Sequence, residues 1–238
     1  MNDKKDDKEP SLELNNLSQD KGEKKEQKYN KELYIVLGAM VFLIIVFFAS
    51  YFIFNSLNIF EYEGLTFTKE KFGEIPVYHY YYFYDFDGKK YQYNLYLRND
   101  PRENTVPIIG AAIQEEIEFP IGNVVYISLD PNESIVGCEY SSVGLSNLAS
   151  FFVNNQLKVK SASTIKEVAE ENNIEYATCK THPADNVIII KSGNETQVIR
   201  EKDSCTIIQI ADCQVLEAME KFQLEALLDS RERGFSPL

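Results

Sequence analysis

The chain has 238 residues, 44% of them hydrophobic, and a formal charge of −13 at pH 7 from 37 acidic and 24 basic side chains. That acidity repels phosphate backbones and so argues against nucleic acid as a partner. The glycines form no phosphate-cradling loop, and neither His-Glu-x-x-His nor Gly-x-Ser-x-Gly occurs, so the common nucleotide, zinc-protease and serine-hydrolase signatures are missing and no cofactor or metal is expected.

Residues 1–32 are dominated by Lys, Asp, Glu, Asn and Gln, with Leu12, Leu14 and Leu17 as the aliphatic exceptions. Such a segment buries too little to offset its ordering entropy and is expected to be a disordered tail. From Leu33 to Phe54 the sequence is almost wholly apolar, and the uncharged run continues to Phe60. As a helix, those first 22 residues would span about 33 Å, so a transmembrane helix is predicted over 33–58. Lys21, Lys24, Lys25, Lys28 and Lys31 precede the span, whereas Lys69 and Lys71 are the matching residues after it. This asymmetry predicts a cytoplasmic amino terminus and an extracytoplasmic remainder, anchored in the cell membrane by a single pass. A cleaved signal peptide, cut near Ala49-Ser50, is the rival reading. Its apolar core normally runs ~7–15 residues, shorter than the run here.

The segment 60–105 reads as a membrane-proximal β region. Phe60, Tyr62, Leu65 and Phe67 suggest one strand, close to the lipid headgroups, before the tyrosine-rich run Pro76 to Tyr84. Asp87-Gly88 predicts a two-residue hairpin turn, because both positions of a type I′ turn need positive φ. That turn sets Tyr84 opposite Tyr91, Tyr82 opposite Tyr93, Tyr80 opposite Leu95 and Tyr78 opposite Leu97 on an apolar face. The other face carries His79, Tyr81, Phe83 and Tyr96, which are candidate binding residues because aromatic rings with polar tips stack on sugars and anchor interfaces. The loop Arg98 to Asn104 follows, and its Arg98 and Arg102 offer bidentate recognition of a carboxylate or phosphate, or pairing with their own Asp100 and Glu103.

The segment 106–238 alternates strands and helices. Strands are predicted at 124–129, 157–160, 174–178, 187–191, 197–201 and 206–210. Ser146 is expected to cap a helix through Leu148, Phe151 and Phe152, and Ser163 or Thr164 to open a second with a capping box. A long helix presents Val215, Met219, Phe222, Ala226 and Leu227 on one face. The fold class is therefore α/β or α+β: an N-terminal transmembrane helix, a tyrosine-rich hairpin sheet, then a mixed-sheet α/β ectodomain ending in a long helix.

Cys138, Cys179, Cys205 and Cys213 all follow the span, and an even number outside the cytoplasm reads as two disulfides. Cys179 with Cys205 is the favoured pair because the two bracket a hairpin, which leaves Cys138 with Cys213. The Cys179-x-x-His182 spacing suggests zinc shared with Cys205 and Cys213, but the second pair lacks metal-like spacing. Asn132 and Asn194 each open an Asn-x-Ser/Thr glycosylation acceptor. His182, Asp185 and Asp100 are the candidates for an active site. These readings converge on a membrane-anchored ectodomain that binds or assembles with a protein partner in the cell envelope. A hydrolase-like envelope enzyme and an accessory subunit of a membrane complex are the alternatives.

Overall fold

The computed structural model describes residues 13–110, 119, 123–130, 133–202 and 204–232. Contacts divide the chain after Leu57 into two compact units. The first holds helix α1 (Glu13–Asn58), whose stretch from Lys31 is long and apolar enough to cross a membrane and has no residue buried within the protein. The helix starts upstream of the expected residue 33, because Lys, Glu and Gln in that leader are good helix formers; residues 1–12 of the expected tail lie outside the described residues. An N-terminal helix of this kind, with the disulfides described below, suggests a membrane-anchored or secreted protein.

The second unit begins with a four-stranded antiparallel sheet in the order β1-β2-β3-β4, formed by β1 (Ile59–Tyr62), β2 (Leu65–Phe72), β3 (Ile75–Phe86) and β4 (Lys89–Leu97). The expected single strand through Phe67 is in fact a hairpin, since Glu63 and Gly64 both take positive φ and turn the chain. Asp87 and Gly88 do the same between β3 and β4. The resulting register pairs Tyr78 with Leu97, Tyr80 with Leu95, Tyr82 with Tyr93 and Tyr84 with Tyr91, as the tyrosine alternation predicts.

A seven-stranded sheet follows, built from β5 (Ile108–Ile109), β6 (Val124–Leu129), β7 (Lys158–Ser163), β8 (Glu175–Tyr176), β9 (Asn186–Ser192), β10 (Gln197–Lys202) and β11 (Cys205–Ile210). Its order is β5-β10-β11-β9-β6-β7-β8, parallel except for the β10 and β11 hairpin. Helices α2 (Ser141–Asn154), α3 (Lys166–Asn172) and α4 (Val215–Glu232) complete the unit. β9 reads as a continuous apolar run because it is covered on both faces: Ile188 and Ile190 enter the main core, while Val187 and Ile189 pack with Tyr126, Ala162 and Ala177 on the other side.

One core unites the two sheets. Leu65, Phe67, Tyr82, Tyr93 and Leu95 of the first join Val125, Ile190 and Ile208 of the second around Phe151, Phe152, Met219 and Phe222. Tyr82 donates to Asn155 Oδ1 at 2.6 Å and Tyr84 to the Asn154 carbonyl at 2.6 Å, so β3 supplies partners to the end of α2. All five residues expected on the apolar face of the terminal helix are buried in α4.

Two expected helix starts are displaced. α2 begins at Ser141 rather than Ser146, which lies exposed within it; Ser141 donates instead to the Ile135 carbonyl of a short 3-10 helix, Ser134–Gly137. α3 starts at Lys166 with no side-chain cap. Its expected capping hydroxyls on Ser163 and Thr164 are taken by the buried Asp130 carboxylate at the end of β6. A buried acceptor-only group draws the nearest donors.

Candidate functional site

Alternation along β3 and β4 throws His79, Tyr81, Phe83 and Tyr96 onto the face of the first sheet that points away from the core. Tyr81, Phe83 and Tyr96 are 52%, 44% and 40% exposed, and Phe72 at 58% joins them through an edge contact with Tyr96. The imidazole of His79 stacks on Tyr96 with ring centres 4.5 Å apart. Its Nδ1 lies 2.8 Å from Glu70 and its Nε2 3.1 Å from Asn94 Oδ1, so both ring nitrogens are engaged. Lys90 Nζ sits 5.0 Å over the Phe83 ring. The result is a ladder of aromatic rings flanked by polar groups, a surface type suited to an interface.

The outer edge of the same sheet borders a groove of about 550 Å³. β4 forms one wall over Tyr91 to Tyr96, α2 forms the other through Asn147, Ser150 and Asn154, and Gln223 of α4 reaches it from the core. Among the described residues, no charged side chain lines this groove, although 26% of the chain is charged. Gln223 is 2% exposed and its side chain makes no hydrogen bond among the described residues. Its amide lines the groove, where it can bond a polar occupant.

The Arg98 to Asn104 loop is closed by its own groups and by α4. Arg102 donates through Nε at 2.9 Å and Nη2 at 2.6 Å to the two oxygens of buried Asp100, which holds that carboxyl below the usual range. The Arg102 guanidinium also lies 3.8 Å over the Phe60 ring. Glu220 accepts the Arg98 N–H at 2.6 Å and the Asn99 N–H at 3.1 Å, with the Asn99 side chain at 3.0 Å. Burial nevertheless pushes the Glu220 carboxyl up to about 7. Both arginines thus engage neighbours within the protein: the Arg98 guanidinium faces the Tyr140 ring at 5.7 Å, and Arg102 stays half exposed beside Asp100.

His182 packs on Tyr126, with ring centres 4.4 Å apart, bonds Thr181 Oγ1 at 2.9 Å and lies 3.9 Å from Glu175. Among the described residues no hydrogen bond or ion pair joins its side chain to Asp185 or Asp100. Disulfides link Cys138 with Cys213 and Cys179 with Cys205, each at a Cα separation of 5.5 Å, so those sulfurs offer no thiolate to a metal. Asn194 lies exposed in the turn after β9, whereas Asn132 falls outside the described residues. The crevice at the carboxyl ends of β6 and β9, where strand order reverses and α/β folds commonly bind ligands, is bridged by Glu133 accepting the Ser192 N–H at 2.8 Å and by Ser134 bonding Ser192 at 2.7 Å.

No protein-family model, curated protein or solved structure matches the chain. Apart from Tyr96, already a candidate binding residue, the groove residues escape a reading of the sequence by motif. Asn147, Ser150 and Asn154 do recur at helical spacing on one face of α2, which is the signal a search for polar stripes would find.

Proposed function

We propose that the chain is a single-pass membrane protein, amino terminus in the cytoplasm, whose disulfide-bonded ectodomain binds or assembles with a protein partner in the cell envelope. The observation that carries the reading is the ladder of Phe72, Tyr81, Phe83 and Tyr96, which leaves four large rings in water on one face of a rigid sheet. Single exposed apolar side chains are ordinary, but a contiguous row is characteristic of a surface that another molecule covers. Orientation is supported by the lysines before α1, and the extracytoplasmic location by the two disulfides.

Crosslinking in intact membranes, followed by co-purification, tests the partner. A discrete crosslinked species should form with the wild type and weaken at least about fivefold in a Tyr81→Ala/Phe83→Ala variant, as expected for loss of aromatic anchors. Recovery of the chain alone at every crosslinker concentration would count against assembly. Protease added to whole cells should digest residues beyond 58 and spare the leader; protection of the cysteine-bearing part would reverse the orientation.

A further inference from the structure

We infer that the groove beside β4 receives an extended, uncharged segment of a partner protein, which adds to the first sheet as a fifth strand. The inference rests on the assembly reading and names the mode by which the partner is held.

Among the described residues, the sheet ends at β4. In an antiparallel pair, alternate backbone groups of an edge strand point away from its neighbour, leaving a row of N–H and C=O groups without ladder partners. Among the described residues, no backbone hydrogen bond outside the β3 ladder begins or ends on Gln92 to Tyr96. The edge also lacks the usual defences. β4 contains no proline and pairs with β3 without a register shift from Lys89 to Leu97, so it is neither bulged nor broken. Its two lysines stand at its start, beside the turn, and outside the groove.

Side chains on both faces of β4, such as Tyr93 and Asn94, line the same groove, as they do when a strand meets a cavity edge-on. The five residues from Gln92 to Tyr96 offer about 17 Å of edge, enough for a short strand. Across the gap, Asn147 of α2 and buried Gln223 of α4 present amides that can bond main-chain or side-chain groups of the incoming segment. Strand addition satisfies both the row of backbone groups and the unpartnered Gln223 amide. A saccharide would meet the amides but cannot match alternating donors and acceptors along the edge. Charge sets the composition of the segment. With no charged side chain among the described residues of the groove, an ionised side chain entering it would lose its water without gaining a counter-ion there, so the inserted residues are uncharged.

The test uses the full chain in lipid nanodiscs and a displayed library of decapeptides lacking Asp, Glu, Lys and Arg. An enriched decapeptide is then synthesised in two forms, N-methylated at odd or at even positions. Only one alternate set of N–H groups faces β4 in an added strand, so one form should bind at least about tenfold more weakly and the other nearly as well as the parent. Hydrogen exchange should slow at Gln92 to Tyr96. Gln223→Leu, which keeps the size of the side chain but removes its amide, should weaken binding at least about tenfold. If that variant misfolds, Asn147→Ala replaces it in the binding measurement.

Equal effects of the two methylated forms, protection elsewhere, or no enriched decapeptide would overturn the inference. So would binding of chitohexaose or maltohexaose with protection of β4. The assembly reading is judged separately: crosslinks that persist unchanged in Gln223→Leu place the partner on another surface, whereas their absence from the wild type removes the partner itself.

Discussion

At the scale of single residues, Glu220 illustrates how a buried group can be satisfied and still be strained by its charge. Three donors from Arg98 and Asn99 converge on its carboxyl, yet the residue is 3% exposed and nearby Glu217 adds repulsion. Desolvation outweighs the hydrogen bonds, and the group titrates near 7 instead of 4.5. Because the folded-state pKa is raised, the related stability is fully present below 4.5 and is lost as pH rises through about 7. The loss amounts to about 3 kcal/mol. Urea midpoints of the full chain should therefore fall between pH 5 and pH 8, and Glu220→Gln, which cannot ionise, should flatten that slope. An unchanged slope in the variant would show that other groups carry the pH dependence. Asp100 acts in a different window, since its lowered pKa gives stability that disappears as pH falls below the usual carboxylate range. Burial pushes the phenols of Tyr82 and Tyr93 in the opposite chemical sense, upward, and keeps both neutral across the physiological range.

At the scale of elements, the sharpest constraint lies where β5 meets β10. Gly110, which follows β5, takes φ +125°, and a Cβ there would meet the Arg200 carbonyl oxygen, with the carbonyl carbon 2.9 Å away. Backbone cannot rotate aside as a side chain can. Gly110→Ala should cost about 2 kcal/mol or more in urea denaturation, whereas Gly137→Ala, with open space around it, should stay within about 0.5 kcal/mol of wild type. Similar midpoints for the two variants would mean that β5 shifts freely. The hairpin of β3 and β4 was legible down to its register, because strict alternation of tyrosines and an Asp-Gly turn leave one pairing that puts Tyr78, Tyr80, Tyr82, Tyr84, Tyr91 and Tyr93 on one face. The turn at Glu63-Gly64 was less visible, since its φ values come from the turn itself and the flanking apolar residues continue the same pattern. The start of α2 was not legible either: Ser141 and Ser146 are equally good caps locally, and the 3-10 helix that engages Ser141 lies outside any local rule. The groove combines β4, α2 and α4, which are far apart in sequence, so only the tertiary fold brings Asn94, Asn147 and Gln223 to one place.

At the scale of the whole molecule, the two disulfides are nested: Cys138 and Cys213 enclose the loop closed by Cys179 and Cys205. Chain-entropy arguments assign about 4.5 kcal/mol to the longer closure, whose ends are 75 residues apart in sequence. The shorter bridge constrains a loop already restricted, so the two contributions do not add. Replacing Cys138 and Cys213 together by Ala should lower stability by about 2–4 kcal/mol, read from urea midpoints in detergent, and reduction of the wild type should lower it further. Identical midpoints before and after reduction would show that neither bridge constrains the unfolded chain.

Helix α4 follows every strand of both sheets in the sequence, yet it packs on α2 and β11 and holds the Arg98 loop through Glu220. During synthesis, the early sheet must therefore wait, its tyrosine-rich inner face uncovered, until α2 emerges to meet Tyr82, Tyr84 and Tyr93, and its loop after β4 until α4 follows. Any folding helper acting at that stage would have a defined client: an open hairpin whose covering helices have yet to arrive.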